Sequence, residues 1–123
     1  MKAAANYSDR GYEIFLPMGN SRCDFIAMKD NNVIKVQCKT AATRYYKAKD
    51  TKYTLAVLTT SRNGKSKPYS PEEVDEFFVI GDTMAWAIPN DYVYPRKTIM
   101  LESTVDDYIP RHGLDPKDWR ISL

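Results

Sequence analysis

The sequence predicts an α/β or α+β domain, with a mixed, mostly antiparallel central sheet and short helices at its flanks. Three observations predict it. Apolar or alternating runs of strand length recur along the chain, as in Val33–Thr40, where Ile34, Val36 and Cys38 alternate with Lys35, Gln37 and Lys39. Turn chemistry separates the runs, as in MGNS, KDNN and SRNGKSKPYS. Helix signals are few and short. At 123 residues and 14.1 kDa the chain is long enough for one core and too short for two, so residues 1–123 are expected to form a single domain.

The elements follow in order. KAAANYS at 2–8 has the propensity of a short helix, with Gly11 as its stop. Tyr12–Leu16 favours strand and is closed by Pro17. Cys23–Met28 is the next strand, and KDNN joins it to Val33–Thr40 as a hairpin turn. The polar, basic stretch from Ala41 to Lys52 has no clear period and is expected to be a loop. Tyr53–Thr60 is a strand, and SRNGKSKPYS is a second loop. Ser70, Pro71, Glu72 and Glu73 carry the signals of a helix start, a capping serine followed by proline and acids. That helix must be short, because Phe77–Ile80 already favours strand. Met84–Ile88 is a strand ended by Pro89, Thr98–Leu101 another, and a helical turn is expected to begin near Ser103. No internal repeat or low-complexity tract is present.

The net charge of +2 hides a strong division along the chain. From Lys29 to Lys67 there are ten Lys or Arg against two Asp, a net of +8, and the remainder carries eight basic against fourteen acidic residues, a net of −6. A basic third suggests a polyanion partner, since clustered Lys and Arg bind phosphates and release counterions; a solvated lysine-rich surface is the other reading. No apolar run approaches the roughly 20 residues of a membrane span, and the N-terminus lacks a signal-peptide pattern, so no membrane partner and an intracellular location are expected. Cys23 and Cys38 fall in predicted strands and are expected to be buried free thiols, with no zinc ligand set around them.

If 23–28 and 33–40 pair through KDNN, Asp24 lies near the far end of one strand and Gln37 and Lys39 near the far end of the other, both on one face. Such convergence suits metal-assisted phosphodiester hydrolysis. A carboxylate and a strand carbonyl hold the metal, and a lysine on the same face acts on water and on the developing charge. From spacing alone, a half-buried strand with a solvated polar side remains the alternative.

The run GYEIFLPMGNSRCDFIAMKDNNVIKVQCKTA resembles the core of the PD-(D/E)XK nuclease superfamily, in which a strand aspartate is followed by an acid, any residue, and lysine. It is similar to archaeal Holliday junction resolvases and, more closely, to the group I intron homing endonucleases in which glutamine replaces the second acid as QxK. YSPEEVDEFFVIGDTMAWAIP resembles the later part of such domains, so the likeness covers roughly residues 10 to 90. It implies a restriction-endonuclease-like core and a metal-dependent DNA endonuclease of homing or junction-resolving type.

Carried over by position, the resemblance makes Asp24 the metal-binding carboxylate, Gln37 the replacement for the second acid, Lys39 the catalytic lysine, and the Cys38 backbone carbonyl a further ligand. Mg²⁺ or Mn²⁺ is the implied cofactor. Many relatives also use a glutamate on an N-terminal helix, which has no match here before Gly11; Glu13 and Asp9 are the nearest acids. The departure keeps open a module with the same fold that binds DNA and does not cut it. A structural or assembly protein with a coincidental triplet is the third reading.

Ser21 and Arg22, just before the aspartate, are candidates for a phosphate near the metal, or simply a turn. Thr43, Arg44, Tyr45, Tyr46, Lys47 and Lys49 interleave cations with aromatics directly after Lys39, which suits contact with double-stranded or branched DNA. Arg62, Lys65 and Lys67 form a second basic group, in a groove or at a solvated hairpin tip. His112 has no recognisable Ser or Cys partner and is given no catalytic role. Trp86 alternates with Met84 and Ile88 as packing, and Trp119 is expected to dock on the body or on another subunit. Because cutting two strands takes two sites, a homodimer or homotetramer is expected, in the cytoplasm of a bacterial, archaeal or phage-infected cell.

Overall fold

The computed structural model describes residues 2–19, 21–62, 64–103 and 116–122, with residues 62 and 103 described by backbone alone. The helix α1, Lys2–Asp9, buries Ala3 and Tyr7, and Gly11 at φ 93° turns the chain out of it where a side chain would be strained. Tyr7 meets Tyr12, Phe25 and Phe78 edge to face at 5.4–5.5 Å, which seats α1 on one face of the sheet.

The sheet begins with β1 (Glu13–Phe15), β2 (Phe25–Lys29) and β3 (Asn32–Thr40), paired antiparallel. Asp30 and Asn31, both at positive φ, make the tight turn expected of KDNN. β2 starts later than the sequence suggests, because residues 22–24 bend before the ladder forms. β3 then pairs in parallel with β8 (Glu76–Ile80), which pairs antiparallel with β9 (Met84–Pro89), and β9 with β11 (Arg120–Ser122). The order β1-β2-β3-β8-β9-β11, with one parallel pair, is the mixed, mostly antiparallel sheet the sequence predicts.

A parallel pair requires a long crossover, and here it holds both basic stretches. Neither is a loop. Ala42–Tyr46 is β4 and Thr51–Val57 is β5, joined by a 3-10 turn at Lys47–Lys49 and by Asp50 at φ 47°. Thr59–Arg62 is β6 and Lys65–Pro68 is β7, a second hairpin. Hydrophobic periodicity missed them because the exposed positions follow one another: Thr43, Arg44, Tyr45 and Tyr46 all face water. The Asn-Gly dipeptide at 63–64 was the available signal for the second. β10 (Thr98–Ser103) pairs with β5.

The helix expected from Ser70 is a single turn. The Glu73 and Val74 amides both donate to the Ser70 carbonyl, at 3.0 Å, and the Glu73 carboxylate accepts from the Ser70 amide. Val74 is then buried and Asp75 bonds to Lys35, so the chain enters β8 at once. A short helix α2, Asn90–Val93, follows β9 instead.

One core cluster joins α1 to Phe25, Ala27, Val36 and Phe78. The other, on the opposite face, holds Leu58, Tyr69, Val74, Phe77, Val79, Trp86, Ile88, Ile99 and Leu101, under β5 and β10. Trp86 is core packing, and Trp119 packs on this cluster and against Tyr92 at 5.7 Å, so it docks on the chain's own body. His112 and the turn expected beyond Ser103 lie outside the described residues.

Candidate active site

Asp24, Gln37 and Lys39 all lie at the end of the β2–β3 ladder away from its turn. Phe25 faces Val36 across the ladder, and the Asp24 amide donates to the Val36 carbonyl at 2.8 Å, so Asp24 and Phe25 both stand opposite Val36 and the register slips by one residue, as in a β-bulge. The Asp24 carboxylate reaches the Cys38 amide and thiol, whereas alternation along β3 sets Gln37 and Lys39 on the face away from the Cys38 side chain. Their neighbours in β8, Phe77 and Val79, belong to the core of that same face.

The Asp24 carboxylate is fixed by the backbone. Its Oδ2 accepts from the Cys38 amide at 2.8 Å. The Lys35 carbonyl accepts from Asp75 on the β8 side, and the Val36 carbonyl from Asp24 on the β2 side. The same alternation directs the Cys38 carbonyl, like its amide, to the side of Asp24, past the first residue of β2. Gln37 Oε1 is buried and accepts no hydrogen bond among the described residues. Such an atom costs free energy unless a donor or a cation reaches it.

A carboxylate, an amide oxygen and a backbone carbonyl are hard oxygen donors that suit Mg²⁺ or Mn²⁺. Among the described residues no group of three or more His, Cys, Asp and Glu gathers, so a metal here relies on the neutral oxygens. Burial, and then the Asp24 carboxylate beside it, push the Cys38 thiol up to about 12, which keeps it protonated at neutral pH. Both cysteines are free thiols; Cys23 is buried as expected, whereas Cys38 is half-buried because β2 ends before covering it.

Lys39 shares the face of Gln37, and its ammonium is held by two groups further along the chain. Nζ donates to the Thr59 carbonyl at 3.0 Å and lies 5.0 Å from the centre of the Tyr69 ring.

A family model described as PD-(D/E)XK endonuclease matches residues 1–104. The chain belongs to the PD-(D/E)XK endonuclease family. It is a nuclease acting on DNA, and nucleases of this family work with divalent metal ions. A solved structure of a bacterial homing endonuclease, I-Ssp6803I, superposes with a TM-score of 0.74 at 16% identity, over 96% of this chain and 80% of that one. That likeness shows the shared fold. No curated protein matches. Among the described residues of this PD-(D/E)XK endonuclease, no helix is long and apolar enough to cross a membrane.

The structure does not bring Glu13 to Asp24. Glu13 is exposed in β1 opposite Met28, four residues along β2 from Asp24, or about 13 Å at strand rise. Asp9 is exposed on α1, which covers the opposite face. Ser21 Oγ is 3.2 Å from Cys23 Sγ, and Arg22 Nε is 3.6 Å from Glu73 Oε2, so both sit at the bend leading into Asp24.

The basic residues of this endonuclease are carried on two hairpins that leave the sheet just past Lys39. Alternation puts Arg44 and Tyr46 on one face of the first, and Thr43 and Tyr45 on the other. Tyr45 donates to Asp50 at 2.6 Å, Thr43 Oγ1 is 3.4 Å from Thr54 Oγ1, and Lys49 Nζ lies 6.0 Å from the Tyr46 ring centre. Lys47, Lys65 and Lys67 are exposed, and Arg62 pairs through its backbone with Lys65.

Residues that sequence reasoning missed stand around this frame. Tyr69 and Thr59 hold Lys39. Asn90, buried at 1% exposure, donates from Nδ2 to the carbonyls of Tyr69 and Val74, each at 2.9 Å. Glu73 ties Arg22 to the Ser70 turn. Only the Ser70–Glu73 spacing carried a sequence signal, that of a capping box.

Proposed function

We propose that this endonuclease hydrolyses DNA phosphodiester bonds with Mg²⁺ or Mn²⁺ at a site formed by Asp24, Gln37, the Cys38 carbonyl and Lys39, as a homing-type enzyme. The observation that carries the reading is the Gln37 Oε1, buried and without a hydrogen-bond partner among the described residues, one residue along β3 from the Cys38 amide that holds Asp24. An unsatisfied amide oxygen there fits a divalent cation better than it fits a structural role. When bound, the cation supplies Lewis acidity to the scissile phosphate.

Asp24 contributes the one full negative charge, oriented by the Cys38 amide; Gln37 and the Cys38 carbonyl add neutral oxygens. With one carboxylate the metal affinity is modest, and substrate phosphate oxygens complete the set. Lys39, on the face of Gln37, orients water and offsets the charge that develops on the phosphate. Arg44, Tyr45, Tyr46, Lys47, Lys49, Arg62, Lys65 and Lys67 on the hairpins, with Thr43, Ser21 and Arg22, grip the DNA backbone and grooves.

The homing assignment rests on the QxK pattern and on the fold shared with I-Ssp6803I. Two strands of opposite polarity call for two copies of the site, hence a homodimer or homotetramer working in the cytoplasm. The test is nicking or linearisation of plasmids carrying candidate intron-insertion sites, and of a synthetic four-way junction, with Mg²⁺ or Mn²⁺. The natural protein should cut, and Asp24→Ala and Lys39→Ala should bind without cutting. Undiminished cutting by either variant would sink the assignment of that residue.

A further inference from the structure

Lys39 is not free at the strand end. Its ammonium donates to the Thr59 carbonyl at 3.0 Å and faces the Tyr69 ring at 5.0 Å. These two partners are the feet of one hairpin. Thr59 is the first residue of β6 and pairs with Pro68, the last residue of β7, and Tyr69 follows Pro68 directly. The lysine therefore sits at the root of the second basic hairpin, whose β7 carries Lys65 and Lys67.

The root itself is rigid. Tyr69 is 6% exposed, meets Phe77 edge to face at 5.8 Å, and has its carbonyl bonded to the buried Asn90 side chain. Leu58, just before Thr59, is 1% exposed and its amide donates to the Lys97 carbonyl at 2.8 Å. A lysine on a four-carbon stem loses much rotamer freedom when it is placed, so two fixed partners on a packed root define where its charge stands.

We propose that Tyr69 is a positioning residue for Lys39, and that the foot of the β6–β7 hairpin sets the lysine for the hydrolytic step. The inference rests on the catalytic reading of Lys39. It adds that the hairpin which meets DNA also holds the lysine, so the two are mechanically one unit.

Two measurements test it. The first needs no DNA: in protein carrying ¹³C-methylated lysines, the Lys39 signal should be displaced by the Tyr69 ring current. The displacement should persist in Tyr69→Phe and vanish in Tyr69→Met. The second is the single-turnover rate on whichever plasmid or junction the natural protein cuts, at saturating protein. Tyr69→Met should slow cutting by about ten- to a hundred-fold, the scale of a misplaced group, with DNA affinity within about two-fold. Tyr69→Phe should restore the natural rate. Phe78→Leu, in the core cluster of the opposite face, controls for lost stability and should lower the melting temperature without slowing the step.

A Lys39 signal indifferent to Tyr69→Met overturns the contact. A natural rate in Tyr69→Met, while Lys39→Ala is inactive, overturns the positioning role alone. A natural rate in Lys39→Ala removes the catalytic lysine and the positioning role with it, and the signal displacement then shows that the contact is structural.

Discussion

Gln37 and Cys38 show how adjacent residues on one strand take opposite parts. Gln37 turns its amide to the face of Phe77 and Val79, and its buried oxygen has no hydrogen-bond partner among the described residues. Replacing it by Glu supplies a second carboxylate, and oxygen sites for hard cations tighten as ligand charge rises. Gln37→Glu should therefore lower the Mg²⁺ concentration for half-maximal cutting by about ten-fold; an unchanged titration would mean that Gln37 does not hold the metal. Cys38 turns to the other face, and burial together with Asp24 raises its thiol to about 12. The ordinary thiol value is about 8.5, so above it the unfolded chain gives up a proton that the folded chain keeps. This thiol therefore favours the fold less and less as pH rises from about 8.5 towards about 12. Urea midpoints in metal-free buffer should fall with pH over that window, and fall less steeply in Cys38→Ser.

At the scale of the element, the two hairpins and the Ser70 turn do what the central sheet cannot. The sheet supplies a flat ladder whose end presents Asp24, Gln37 and Lys39, and the hairpins carry the positive charge outward from that end. Each Lys or Arg that meets a phosphate contributes about 0.9 to the slope of log affinity against log salt. Arg44→Ala, Lys47→Ala and Lys67→Ala should each flatten the slope by about that amount, measured by fluorescence anisotropy at several salt concentrations. A slope unchanged in all three would place the DNA elsewhere. Asn90 performs the inward task, since its two hydrogen bonds pin the carbonyls of Tyr69 and Val74 beneath β9. Asn90→Ala leaves both carbonyls buried and unpaired, and should cost at least about 1–3 kcal/mol in chemical denaturation. A loss much smaller than that would show that water replaces the amide.

For the whole molecule, the division of charge and the topology agree. The +8 segment of the sequence is the β2–β3 turn, β3 and the crossover that forms the hairpins, so most of its charge is carried past the Lys39 end of the sheet. The hairpins project from the same end of β3 that holds Lys39, so their charge and the candidate site share one end of the sheet. One site faces one strand. The assembled protein should linearise DNA at concentrations where it sediments as a dimer or tetramer, and dilution below that range should leave nicked circles. Linearisation by a sedimenting monomer would refute the assembly.

Much of this was legible before any coordinates. The period-two pattern of Val33–Thr40 and the KDNN turn placed Gln37 and Lys39 on one face because side-chain alternation is a local property of a strand. The basic third was legible because it is a matter of composition. Elsewhere the local signal failed for definite reasons. Ala42–Tyr46 and Thr59–Arg62 lack an alternating apolar face, so only their pairing partners make them strands. The Ser70 turn carries every mark of a helix start, and stops because Val74 is buried and Asp75 bonds to Lys35, contacts made across the fold. The N-terminal acids cannot be placed from spacing, and β-sheet register sets Glu13 about 13 Å from Asp24 along the sheet. By itself the sequence determined the central strands, the shared face of Gln37 and Lys39 and the division of charge, all written in neighbouring residues. Only the tertiary structure decided what holds Lys39, because Thr59 and Tyr69 reach it through a hairpin that closes twenty or more residues further along the chain.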